Sequence, residues 1–112
     1  MTLSFRDYQT ATAETAIYPD AGKGNFVYPT LGLAGESGEV AEQIKKAIRD
    51  DQGIITFVRQ ETLVKELGDV LWYISQLATE AGISLDDVAQ RNLNKLSDRK
   101  ARGVLQGSGN DR

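Results

Sequence analysis

The chain contains neither cysteine nor histidine. Without cysteine it can form no disulfide, offer no thiolate nucleophile and build no zinc–sulfur site. Without histidine the usual general base at neutral pH is missing, together with Ser–His relays and imidazole metal sites. The Glu-x-x-His pairs of helical di-iron carboxylate proteins are excluded on the same ground. A metal on this chain must therefore be held by oxygen, and hard oxygen donors suit Mg²⁺, Mn²⁺ or Ca²⁺. Long apolar runs are absent too. None approaches the ~20 residues that cross a bilayer, and the N-terminus lacks a signal-peptide pattern, so a cytoplasmic location with no membrane partner is expected. Nor is there an excess of positive charge: the net charge of −3 argues against a nucleic-acid partner.

What is present fits a single domain. The 112 residues leave no room for a second one, and 40% hydrophobic with 26% charged residues is ordinary for a globular protein. Four helical segments follow from the apolar periodicity and the caps. The first covers residues 4–18, with Ser4 as N-cap, an apolar stripe of Phe5, Tyr8, Ala13, Ala16 and Ile17, and Pro19 as its stop. A second begins in the turn around Pro29 and runs to Asp50, ended by Gly53. A third covers residues 56–81 and is closed by Gly82, and a fourth runs from Ser84 to Gly103. Residues 54–58 are β-prone but have no partner strand. Short connections between long helices predict an all-α four-helix bundle over residues 1–103, followed by a polar tail over 104–112. Residues 70–74 are apolar on consecutive positions, so the third helix needs cover on more than one side. An intertwined homo-oligomer is the expectation.

Acidic residues stand out on the two central helices. Glu36 and Glu39 are spaced i, i+3, and so are Glu66 and Asp69. Positions three apart lie about 60° apart around a helix, so each pair lines one edge. Both edges border apolar stripes, through Val40 on one helix and Leu63 and Val70 on the other. Carboxylates turned towards a core need a cation or donors to compensate them. Two facing pairs could hold one or two divalent ions; equally, spacing alone is compatible with solvated acids on amphipathic helices.

Other residues share these edges. Lys46 lies seven positions past Glu39, and Tyr73 lies four past Asp69. A cation and an aromatic in line with the acids would suit a phosphate and a base, though a solvated lysine and a packed tyrosine are the ordinary alternatives. On the fourth helix Leu85, Val88, Ala89, Leu93 and Leu96 form the inward stripe, while Asn92, Lys95 and Arg99 make a polar line. That line suits a polyanion or is simply a solvated basic edge. Gly32, Gly35 and Gly38 sit inside the second helix at a cost of about 1 kcal/mol each, which predicts close backbone approach there, by another helix or by a ligand. The Ala21-Gly22-Lys23-Gly24 stretch lacks the spacing of a P-loop.

Glu36-Ser37-Gly38-Glu39 followed by Glu66-Leu67-Gly68-Asp69 resembles the paired motif of the MazG-like all-α nucleoside triphosphate pyrophosphohydrolases. Asn92 to Lys95, Arg99, and the opening Tyr8-Gln9 fit the same pattern, so the resemblance covers nearly the whole chain. Where some relatives carry a further acid before the first motif glutamate, this chain has Gly35. The resemblance implies hydrolysis of a (d)NTP to (d)NMP and pyrophosphate, by water attacking the α-phosphorus. It implies about two Mg²⁺ ions per site, with Mn²⁺ as a substitute, held by Glu36, Glu39, Glu66 and Asp69. Glu39 would orient or deprotonate the water. Lys46, Lys95 and Arg99 would neutralise the departing pyrophosphate, and Tyr73, Trp72, Gln9 and Asn92 would contact the base, with a slight lean to purine deoxynucleotides. Family members assemble as dimers or dimers of dimers. Two other readings stay open: a helical oligomerisation or adaptor module without activity, and a relative specialised for dUTP, dCTP or phosphoribosyl-ATP.

Overall fold

The computed structural model describes residues 2–112, and they form four helices without a strand: α1 (Phe5–Ala13), α2 (Val27–Asp50), α3 (Phe57–Glu80) and α4 (Leu85–Ala101). Three N-caps are those expected from hydroxyl side chains. Ser4, Thr56 and Ser84 each accept from the backbone N–H three residues on, satisfying donors that the first turn leaves free. The connections after α2, α3 and α4 turn through Gly53, Gly82 and Gly103, all at positive φ. No helix among the described residues is long and apolar enough to cross a membrane.

Helix α1 is shorter than its pattern predicts. It ends at Ala13, and residues 14–18 leave the helical path. The expected stripe is also displaced: Ile17 is 94% exposed, whereas Thr12 and Tyr18 are buried. Polar contacts decide this. The Thr12 hydroxyl hydrogen-bonds the carboxamide oxygen of Gln76 and the Ser75 hydroxyl, both at 2.8 Å, so the face of α1 that turns inward carries Thr12.

Contacts between α1 and α3 run antiparallel, pairing Gln9 with Thr79, Thr12 with Ser75 and Thr15 with Trp72. Helices α2 and α3 are antiparallel as well. Gly32 faces Tyr73 at one end, and at the other Gln43 accepts from Arg59, which also pairs with Asp51. Helix α3 packs against α1, α2 and α4, while α2 packs against α3 alone. The all-round apolar segment at residues 70–74 thus lies on a helix with three neighbours in the chain, and all five residues are half-buried there.

The helices do not close into a compact bundle. The radius of gyration is 16.8 Å, against about 13 Å expected for a compact chain of this length. Few large apolar side chains are buried, Tyr18 and Leu85 among them. Ile48 (67% exposed), Phe57 (75%) and Val64 (67%) stand uncovered on the α2–α3 arm, and Leu93 and Leu96 of the expected α4 stripe are exposed too. In place of an apolar core, the α1–α3 junction buries a polar cluster of Thr12, Ser75, Gln76 and Glu80, every buried polar atom of which has a partner.

Candidate active site

Glu36 from α2 and Glu66 and Asp69 from α3 converge, with one carboxylate oxygen of each within 4.8 Å of the others. The antiparallel α2–α3 contact makes this possible, because the register that sets Gly32 against Tyr73 sets Glu36 against Glu66 and Asp69. Partial burial pushes the Glu36 carboxyl above its ordinary range, and the charges of Asp69, Glu66 and Glu39 add to that push. An arrangement of like charges this close is unfavourable without a counter-charge. Its donor set, all carboxylate oxygen, fits a hard divalent cation. Glu39 adds its charge to the site but lies outside the converging three; its side chain is exposed one turn along α2.

A pocket of about 310 Å³ opens beside the acids, lined by Thr15, Glu36, Asp69, Trp72 and Tyr73. That volume is at the lower end for small-molecule sites. Tyr73 reaches it because residue 32 is glycine: a Cβ there would fall inside the Tyr73 ring. Gly35 and Gly38 meet no neighbour within 4 Å, so close approach by another part of the chain explains only one of the three α2 glycines. Trp72 packs edge-on to Tyr73, with centroids 5.0 Å apart, and its indole N–H donates to the Thr15 hydroxyl at 2.8 Å. Burial raises the Tyr73 hydroxyl above its ordinary pKa, helped by the nearby charges of Tyr28, Glu36 and Asp69. Tyr8 of α1 is shifted the same way, by burial first and by the charge of Asp69 second.

The remaining sequence candidates are placed elsewhere. Gln9 spends its side chain on joining α1 to the α3–α4 connection: it donates to the Thr79 hydroxyl and the Ile83 carbonyl and accepts from the Leu85 N–H. Arg99 is buried under the tail and donates to the Gly109 and Asn110 carbonyls, and Lys95 reaches the Asn110 side chain. Asn92 borders a separate, mainly apolar groove with Phe5, Leu71, Ile74, Leu85 and Val88. Lys46 is half-buried on α2, and its charge acts on Glu42 and Asp50. None of these five lines the acid pocket. Thr15 is the lining residue that spacing did not suggest. It follows the end of α1, and its approach to Trp72 depends on where that helix stops.

An all-α chain whose central antiparallel helices bring together three acids drawn from two acid-x-x-acid pairs belongs to a recognisable class. Residues 29–104 match the model of the MazG nucleotide pyrophosphohydrolase domain, and the chain belongs to that family. The match spans α2, α3 and α4 and includes all four acids; α1 precedes it. The chain is also similar to the gene 37 protein of Mycobacterium phage L5, with 51% identity over 109 residues, covering 94% of this chain and 96% of that one. No solved structure matches it.

Proposed function

We propose that this protein is a divalent-metal-dependent pyrophosphohydrolase, converting a nucleoside triphosphate, ribo- or deoxyribo-, to the monophosphate and pyrophosphate. The observation that carries the proposal is the convergence of Glu36, Glu66 and Asp69 from two helices in a member of a nucleotide pyrophosphohydrolase family. These three carboxylates, with Glu39 beside them, would hold the cation, and their hard oxygen donors suit Mg²⁺. Bound there, a divalent cation would supply charge neutralisation for phosphate oxygens and a more acidic water. Glu39, exposed beside the cluster, would orient the attacking water towards the α-phosphorus and accept its proton. Trp72 and Tyr73 form the wall on which the nucleoside rests, and Thr15 holds the indole in place.

The working form is a homo-oligomer, a dimer or a dimer of dimers. Its support is the expanded radius of gyration together with the uncovered apolar side chains Ile48, Phe57 and Val64 of the α2–α3 arm.

Pyrophosphate release is to be assayed over the common NTPs and dNTPs with Mg²⁺, for the native protein and for Glu39→Ala. Activity that vanishes on chelation and falls by about two orders of magnitude or more in the variant is the expected outcome. Full activity in Glu39→Ala removes that residue from the mechanism. Release of phosphate alone means a different reaction class, and inertness towards every nucleotide favours a binding module.

A further inference from the structure

Eleven residues beyond Asp69, about three turns and 16 Å along α3, a carboxylate is buried away from the acid cluster. This is Glu80. Its Oε2 accepts from the Tyr18 hydroxyl and from the Gly22 N–H at 2.9 Å, and its Oε1 accepts from the Gly24 N–H at 2.9 Å. Burial alone would raise its pKa, but the hydrogen bonds from Tyr18 and the loop amides outweigh that and keep it low, so it is ionised at neutral pH. Gly22 and Gly24 both have positive φ, so the loop is wound to aim its amides inward at one carboxylate.

The grip passes on to the pocket by direct contacts. Tyr18, held by Glu80 and by the Gln76 carboxamide, stacks on Tyr28 with centroids 4.8 Å apart and planes 12° from parallel. Trp72 makes a T-shaped contact with the same Tyr18 ring, with centroids 6.2 Å apart. Tyr28 lies in the first turn of α2, directly after the clamped loop, and Trp72 lines the acid pocket. One carboxylate therefore fixes both the loop that leads into α2 and the ring against which the pocket's tryptophan rests.

We propose that Glu80 is a positioning residue for the nucleoside side of the pocket: through Tyr18 and the residue 22–24 loop it sets the place of Trp72 and Tyr28. The role it is given in turnover rests on the pyrophosphohydrolase reading above; the geometric part does not. Glu80→Gln is the isosteric test. The amide group that replaces one oxygen must face either the Gly22 or the Gly24 N–H, setting donor against donor and releasing one arm of the clamp. Tyr18→Phe is the companion variant, keeping the stacked ring and losing only its hydroxyl.

Two measurements on the full chain are needed. Trp72 is the single tryptophan, so acrylamide quenching of its emission, in protein without metal or nucleotide, reports the pocket wall directly. The expected result is stronger quenching in both variants, larger for Glu80→Gln. For pyrophosphate release, KM should rise about tenfold in Glu80→Gln with kcat within about threefold, because ground-state placement of the nucleoside is disturbed and the acids are not. Native quenching and native KM in both variants, with only the melting temperature lowered, would overturn the proposal and leave Glu80 as a fold anchor. If Glu80→Gln fails to fold, the same two readings on Tyr18→Phe decide. A native protein that releases no pyrophosphate overturns the functional reading instead, and the quenching comparison then decides whether Glu80 sets the wall.

Discussion

The two ends of α3 solve opposite problems. Its C-terminal half, against α1 and the residue 19–26 loop, buries polar groups and satisfies every one of them: Thr12, Ser75, Gln76, Tyr18 and Glu80 form one connected network. Its N-terminal half, against α2, does the reverse. There three carboxylates converge with no Lys or Arg among the described residues paired to them, and the outer faces present Phe57, Val58 and Val64 to solvent. A buried polar network that is complete fixes one geometry, since any displacement leaves a costly unsatisfied group. An arm with repelling charges and bare apolar faces is unfinished by itself. The first region is a rigid reference; the second is where a ligand and a second chain would add what is missing.

The sharpest way to break that comparison is to remove a charge from the unfinished end. Asp69→Asn should lower pyrophosphate release by about 10²–10³-fold, as loss of a metal-holding or charge-positioning group does. Stability in metal-free buffer should move the other way, rising by a few tenths of a kcal/mol as like-charge repulsion is relieved. Thermal unfolding with and without Mg²⁺ checks this: the native protein should gain stability from the ion, and the variant much less. If Asp69→Asn destabilises the metal-free protein, the acids are part of the scaffold and the two ends are not opposites.

Next in size is the effect of charging the bare face. Ile48→Glu with Val64→Glu should leave the helix content of the lone chain intact, since both side chains are about two-thirds exposed in it. In an oligomer that covers them, two unpaired charges would enter an apolar interface at a cost of several kcal/mol, enough to dissociate it at micromolar concentration. Sedimentation of native and variant protein separates the cases. A native protein that is monomeric at all concentrations would mean that the open arm is the finished state.

Much of this division was visible in the sequence, and the missing parts have a common cause. Local rules located the helices: hydroxyl N-caps at Ser4, Thr56 and Ser84 and glycine stops at 53, 82 and 103 depend on neighbours within a few residues. Spacing brought out Glu36, Glu66 and Asp69, because i, i+3 acids on adjacent antiparallel helices need only a register to meet. Where the partner lies far along the chain, the pattern carried no signal. The end of α1 at Ala13 follows from what Thr12 bonds more than sixty residues away, and Gln9 is engaged by groups more than seventy residues on. Arg99 looks like a free cation on a helical wheel, yet the backbone carbonyls of the tail occupy it. Glu80 reads as an ordinary late-helix acid until the loop amides that surround it are in place.

The smallest effect compares two glycines one turn apart on α2. Replacing an interior helix glycine by alanine gains about 1 kcal/mol from backbone entropy when nothing opposes it. At Gly35 nothing lies within 4 Å of the added Cβ, so Gly35→Ala should realise most of that gain in a urea unfolding experiment. At Gly32 the same atom would fall inside the Tyr73 ring. Tyr73 must then swing away, losing its edge contact with Trp72, which is worth about 0.5–1.5 kcal/mol, and the propensity gain is cancelled. The two variants should thus differ by about 1 kcal/mol in stability. They should also differ in kinetics: Gly32→Ala raises KM several-fold because Tyr73 lines the pocket, while Gly35→Ala leaves Tyr73 where it is. Equal stabilisation with an unchanged KM in both would mean that Tyr73 relaxes freely, and that the unfinished end of α3 tolerates movement even where it touches the site.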